Sequence, residues 1–187
     1  GANGQWYEEY VGTIPGNVLG YTNKSYPPVS ATGSYLSAIY YDTYDFASAL
    51  YGDYSYTTDG LMHTINGVIY SHPSTAHGRV IGLVTGTKTK VLDGGQTGGY
   101  TWLNTINYYD DQYRMIQSLS DNYKGGIDRV SNLYDFSGKL LKTKSTHVES
   151  DVLWTDLVGV RTQGNKLIRT ASSNGWGASG AASVQSL

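Results

Sequence analysis

Apolar and polar residues alternate along most of this chain in short runs broken by Gly, Asn, Asp and Pro. A period of two with that punctuation predicts β-strands and tight turns rather than amphipathic helices. Residues 34–42 read as a strand and 79–92 as a longer one, with Gly82 and Gly86 as expected bulges. A Gly-rich turn at 93–99 sends the chain back through 100–109, and a loop at 120–126 precedes a strand that begins at Asp128. Residues 154–162 and 166–170 form a further expected hairpin about Gly164-Asn165. The least regular stretch is 43–77, with a helical turn or two expected at 46–51 and turn punctuation at Asp59-Gly60, Asn66-Gly67 and His72-Pro73. It reads as an insertion between hairpins. Near the start, Pro15-Gly16 marks a turn, and Tyr26-Pro27-Pro28 marks an extended connection or a sheet edge.

Within 105–143 one pattern is written twice. Asn107-Tyr108-Tyr109-Asp110-Asp111-Gln112-Tyr113-Arg114 is followed by Asn132-Leu133-Tyr134-Asp135-Phe136-Ser137-Gly138-Lys139, so that Tyr-Asp recurs after 25 residues. Each copy predicts a β-hairpin. In the second, Asp135 takes the first and Gly138 the fourth position of a type I turn, where the carboxylate caps main-chain N–H groups and Gly tolerates positive φ. The first copy has Tyr113 in place of Gly138, so its turn must differ or carry strain there. Arg114 and Lys139 follow at equivalent places, where a cation can pair with the turn Asp for roughly 0.2–1 kcal/mol if exposed.

Composition supports an all-β reading, with 18 Tyr and 24 Gly against 2 Met and 2 Phe. So few long aliphatics leave Tyr to fill the interior. A net charge of −2 gives no footprint for nucleic acid. The nearest approaches to basic clusters, Lys88-Thr89-Lys90 and 139–144, read as solvated strand faces. Without Cys there are no disulfides or thiolate chemistry, and no stretch approaches the roughly 20 apolar residues of a membrane span.

Candidate chemistry is sparse. His63, His72, His77 and His147 match no metal-ligand spacing and read as surface or turn residues, and Asp110, Asp111 and Asp121 read as turn caps rather than a Ca²⁺ loop. There is no nucleophile elbow, phosphate-cradling Gly-Lys-Ser or dinucleotide fingerprint, and the three glutamates give no sign of a glycosidase pair. Neither enzymatic activity nor a cofactor is expected. Trp154 and Trp176 are the candidate ligand-binding aromatics.

The unit Tyr-Asp, two residues, Gly, then Arg or Lys and Leu resembles the tyrosine-aspartate repeat of rearrangement-hotspot (RHS) proteins, clearly over 105–147 and more weakly over 21–93. Ala38-Ile39-Tyr40-Tyr41-Asp42 is similar to a decayed third copy. The run from Tyr21 through His147 is similar to large secreted RHS proteins of Bacteroidota. The resemblance implies stacked antiparallel hairpins forming an arc of a β-shell, with Tyr109, Asp110, Arg114, Tyr134, Asp135, Gly138 and Lys139 setting hairpin geometry. It also implies a secreted or cell-surface bacterial protein whose partners are the rest of the parent polypeptide and an enclosed toxin-like effector, with secretion-machinery or surface proteins as further partners. A chain starting at Gly1 with no basic-then-apolar leader fits an internal piece of such a parent. The expected division is an extended segment over 1–34, hairpin repeats over 35–147, and over 148–187 a linker or the opening of a lectin-like module. Unless the strands of that last segment borrow an edge from the repeat sheet or a partner, the tail should be disordered. The alternative function, from a different class, is a cell-surface module that binds glycans or proteins.

Overall fold

The computed structural model describes residues 6–12, 19–26, 35–50, 54–92, 101–122, 125–149, 152–160 and 167–173, with only the backbone described at 48–50 and from 149 onward. Among the described residues the fold is antiparallel β with a single six-residue helix. Its elements are β1 (Ser37–Asp42), α1 (Asp45–Leu50), β2 (Met62–Ile65), β3 (Val68–Ser71), β4 (Val80–Lys90), β5 (Trp102–Tyr109), β6 (Met115–Asp121), β7 (Ile127–Tyr134), β8 (Leu140–Glu149), β9 (Val152–Val160) and β10 (Leu167–Ser173). They fall into two compact units, Gly1–Tyr54 with Val80–Asn104, and Ser55–Arg79 with Thr105–Leu187.

The first unit is built on β1 and β4, whose register breaks twice, after Tyr40 and after Tyr41. The first break leaves out Thr85, fully buried with its hydroxyl donating to the Tyr40 carbonyl, and the second leaves out 81–83, where the sequence supplies Gly82 at φ +80°. Aliphatics are scarce, and rings fill the interior instead. Tyr40 stacks on Phe46 of α1 at 4.3 Å and on Tyr21 at 5.4 Å, and Tyr10 meets both tyrosines edge-on. Such offset and T-shaped pairs contribute roughly 0.5–1.5 kcal/mol each beyond their burial. The hydroxyls of these rings find main-chain acceptors: the buried Tyr40 donates to the Leu19 carbonyl and the half-buried Tyr21 to that of Ile39. Asp42 does not turn a hairpin. It closes β1 at φ +72°, accepts the Gly82 N–H at 2.6 Å and is followed by α1, so the expected third copy is a strand end.

Lys88 and Lys90, expected on a solvated face, are 9% and 7% exposed. Burial lowers the Lys88 ammonium, which lies 5.8 Å from the Trp102 ring centroid. Glu8 ties the N-terminal segment to 22–25. Its carboxylate accepts from the Thr22 hydroxyl, the Lys24 and Ser25 N–H groups and the Ser25 hydroxyl.

The second unit is a meander in which β5 to β10 are neighbours in chain order. Residues 152–160 and 167–173 continue it: β9 pairs with β8 from Lys142↔Gly159 to Glu149↔Val152, and β10 pairs with β9. These two strands thus extend the edge of the repeat sheet. On one face of the meander lie Tyr108, Gln117, Ser131 and Lys144, joined by the register of β5 to β8. Residues 55–79 cover that face. Their β2–β3 hairpin, turned by Asn66 and Gly67 both at positive φ, sets Ile65 and Tyr70 against a cluster of Leu61, Leu133 and Leu141. The expected insertion is therefore the cover of this sheet from Ser55 onward.

The cover is fastened by buried polar groups. Gln117, with no exposure, donates to the Thr57 carbonyl and to the Ser131 hydroxyl while accepting the Thr57 N–H, and Ser131 donates to Asp59. Arg129 and Lys144 approach the same Asp59 carboxylate at 3.5 and 3.6 Å, and Lys142 donates to the Met62 carbonyl. The lysines of 139–144 expected in solvent are in part cover ligands. His72 is likewise no surface residue. It is 7% exposed, and its ring lies between the Tyr56 hydroxyl and the Ile116 carbonyl, 3.0 Å from each.

Removing the Asp59 carboxylate takes the acceptor from the buried Ser131 hydroxyl and the counter-charge from Arg129 and Lys144. Asp59→Ala is expected to lower unfolding stability by about 3 kcal/mol in urea titrations. Glu8 is expected to give acid sensitivity. Partial burial opposes its ionisation, but the hydrogen bonds from Ser25, Thr22 and Lys24 outweigh it and hold the carboxyl at about 2, below its ordinary 4.5. Because the folded value is the lower one, its contribution is complete above about 4.5 and disappears as pH falls toward 2. Glu8→Gln should flatten that part of the stability–pH curve.

Candidate functional site

The repeated hairpin is where sequence and geometry coincide. In the first copy the Asp110 N–H donates to the Arg114 carbonyl and the Tyr113 N–H to the Asp110 carbonyl. The Asp110 Oδ1 atom accepts the N–H groups of Gln112 at 3.0 Å and Arg114 at 2.8 Å. The second copy repeats every bond 25 residues on: Asp135 N–H to Lys139 carbonyl, Gly138 N–H to Asp135 carbonyl, and Asp135 Oδ1 accepting from Ser137 at 2.8 Å and Lys139 at 2.9 Å. A short side-chain acceptor at the turn's first position is what lets Asp satisfy these N–H groups.

Tyr113 and Gly138 resolve the difference between the copies. The turns are alike, and Tyr113 takes the left-handed conformation at φ +62° where Gly138 sits at +85°. The strain lies on the tyrosine, whose ring contacts His77 edge-on at 6.1 Å.

Past each turn the register slips by one residue, between Tyr108 and Tyr109 opposite β6 and between Leu133 and Tyr134 opposite β8. The extra residues are Ile116 and Leu141, again 25 apart, and both are buried, at 2% and 0% exposure. Each bulge thus drives an aliphatic side chain into the interior at the cost of ladder bonds. In the first copy other groups restore them. The Met115 carbonyl accepts from the Tyr134 hydroxyl and from Asn132 Nδ2, and the Ile116 carbonyl faces His72 Nε2. Asn107 and Asn132 complete the unit, accepting at 2.9 Å from Ser118 and Thr143 directly across their hairpins.

Arg114 joins the copies. Its Nε donates to Asp110 at 2.6 Å, its Nη1 donates to the Asp135 carbonyl at 2.7 Å, and its guanidinium carbon lies 5.2 Å from the Tyr134 ring centroid. Tyr109, by contrast, is half-buried on β5, its phenol raised by burial, and its carbonyl accepts the His77 N–H. Lys139 contributes its N–H to Asp135. The Asp135 carboxyl is held below its ordinary value, chiefly by the Ser137 hydroxyl. Asp110 is 4% exposed, so its pair with Arg114 is shielded from water.

One turn was invisible in the Tyr-Asp spacing. At the opposite end of β6, Asn122 repeats the scheme: its N–H donates to the Gly126 carbonyl, the Gly125 N–H to the Asn122 carbonyl, and its Oδ1 accepts the Gly126 N–H. Gly125 sits at φ +82°. A side chain at Gly126 would meet the Val148 carbonyl at 1.8 Å, which fixes glycine there. The signal was an Asx residue three before a glycine, with Asn standing for Asp. Trp154 lies in β9 opposite His147, and Trp176 lies outside the described residues.

No protein-family model, curated protein or solved structure matches this chain.

The left-handed positions give a paired expectation. A methyl at Gly138 meets nothing closer than Arg114 Cδ at 3.9 Å, so Gly138→Ala reports backbone strain alone and should cost about 1 kcal/mol in chemical denaturation. Tyr113→Gly relieves that strain but adds chain entropy and loses the His77 contact, and should stay within about 0.5 kcal/mol of the parent.

Proposed function

We propose that this chain is a non-catalytic structural segment of a secreted RHS-repeat protein, contributing stacked β-hairpins to a shell that encloses or displays a C-terminal, toxin-like effector. The observation that carries the reading is the 25-residue unit itself: the same carboxylate-capped turn and the same buried bulge occur at Asp110–Ile116 and Asp135–Leu141, and Arg114 bridges one copy to the next. A unit that cannot bury its own faces gains stability by stacking on another, which is the logic of repeat architectures. Here that logic extends past the second copy, where β9 pairs with β8 and β10 with β9. The residues of the motif hold the backbone and each other, so their work is mechanical. The shell keeps solvent and proteases from its contents.

The reading makes the turns matter to whatever is enclosed. In the polypeptide as its bacterium exports it, a segment inside the shell should resist added protease. Asp110→Ala combined with Asp135→Ala should expose it, as judged by mass spectrometry of the fragments. Unchanged cleavage of every downstream segment in a variant with demonstrably loosened turns would remove the shell from the account.

A further inference from the structure

The first unit holds a cleft that the hairpin motif does not use. Its volume is about 320 Å³, at the lower end of the ~300–1,000 Å³ range of small-molecule sites, and Glu8, Tyr21, Tyr35, Ser37, Ile39 and Tyr41 line it. Ser37, Ile39 and Tyr41 alternate along β1 and so share one face of that strand. Tyr41 is half-exposed, whereas Tyr21 has one ring face against Tyr40.

The chemistry left over at this wall is narrow. The Tyr21 hydroxyl donates to the Ile39 carbonyl and the Tyr35 hydroxyl donates to Asn23, each at 2.6 Å, so both protons are already spent. The Glu8 carboxylate accepts four hydrogen bonds, two at each oxygen, which leaves it little capacity to hold a ligand by a further one. Those same bonds keep it ionised down to about pH 2, in spite of the burial that opposes them. No basic residue lines the cleft, and no Lys, Arg or His side chain pairs with Glu8 among the described residues. The wall thus offers a negative charge with no Lys, Arg or His partner among the described residues, the Ser37 and Tyr41 hydroxyls, and electron-rich ring surface.

We propose that this cleft binds an organic ammonium cation of the alkylated type, with Tyr21, Tyr35 and Tyr41 supplying ring surface and Glu8 the compensating charge. An anion would meet an acidic wall with no cation to hold it. A saccharide is best held by a free carboxylate and several donors, and here the Glu8 oxygens and the Tyr21 and Tyr35 protons are committed elsewhere, leaving only the Ser37 and Tyr41 hydroxyls. A quaternary or methylated ammonium needs neither, because it is held by ring quadrupoles and by charge. The site is independent of the shell reading, since none of its residues belongs to the repeated hairpins.

The test is calorimetric titration of the whole chain with choline and with 3,3-dimethylbutan-1-ol, the uncharged analogue of the same shape. Choline should bind at least roughly tenfold more tightly, the size expected of cation–π and charge terms acting together. Tyr41→Ala should abolish most of that preference and Tyr41→Phe should keep it, because the ring and not the hydroxyl is used. Since Tyr41 is half-exposed, both variants can be checked for an unchanged fold by circular dichroism. A peptide carrying trimethyl-lysine, run beside choline, distinguishes a protein source of the cation from a free or lipid headgroup. Equal binding of the two isosteres would reduce the cleft to an apolar hollow. Binding of maltose in preference to choline would make it a saccharide site, and binding of neither cation would leave it without this role; any of these three results overturns the proposal.

Discussion

One carboxylate oxygen accepting the N–H groups two and four residues ahead is the constraint on which the second unit depends. At Asp110 and Asp135 that capture closes the turn, forces the fourth residue into the left-handed region and sets the strands one residue out of step. The slip is what points Ile116 and Leu141 inward. It also leaves main-chain carbonyls off the ladder, and these explain side chains that otherwise look misplaced: the buried His72, the Tyr134 hydroxyl and the Asn132 amide each answer to a bulge carbonyl. A short-range electrostatic choice in the turn thus fixes what the core and the cover must supply.

The cover answers with polar chemistry of its own. Gln117 presents an amide, which donates and accepts, to the main chain of Thr57, imitating with a side chain the pair of bonds a strand neighbour would make. Asp59 collects Ser131, Arg129 and Lys144 around a single carboxylate. Such networks contribute less net stability than an apolar core of the same volume, but mis-seating one is costly because every member then loses its partner. That cost favours one position for residues 55–79 over a sliding contact. Leu61, Leu133 and Leu141 then add apolar burial to a placement already specified.

Much of this was legible in the sequence, and the rest was hidden for physical reasons. Alternation placed β1, β4 and β5, the Asn66-Gly67 pair lay at the β2–β3 turn, and the helical turn expected from Phe46 is α1. The second copy's Gly138 announced its turn. Tyr113 leaves two options open in the sequence, and in the structure the turn is kept and the strain accepted. The loop at 120–126 is legible, but its likeness to the two Tyr-Asp turns is hidden because Asn does the work of Asp there. Lys88, Lys90, Lys144 and His72 were read as surface residues, since a charge or an imidazole in a strand or turn is ordinarily solvated. For His72 and Lys144 the partners Ile116 and Asp59 lie 44 and 85 positions away, and local pattern carries no information at that range. Asp42 misled in the opposite direction, as Tyr-Asp without the following glycine and cation is only a strand end.

The carboxylate-capped turn is tested most directly by amide hydrogen exchange, resolved by NMR at Gln112, Arg114, Ser137 and Lys139. These four N–H groups donate to Asp110 or Asp135, although the turn residues Gln112, Ser137 and Lys139 are themselves exposed. Protection at all four, lost at Gln112 and Arg114 in Asp110→Ala and at Ser137 and Lys139 in Asp135→Ala, is the predicted result. Exchange at the rate of an unstructured peptide in the parent chain would contradict it, and with it the account of how the repeat sets the bulges, the core and the cover.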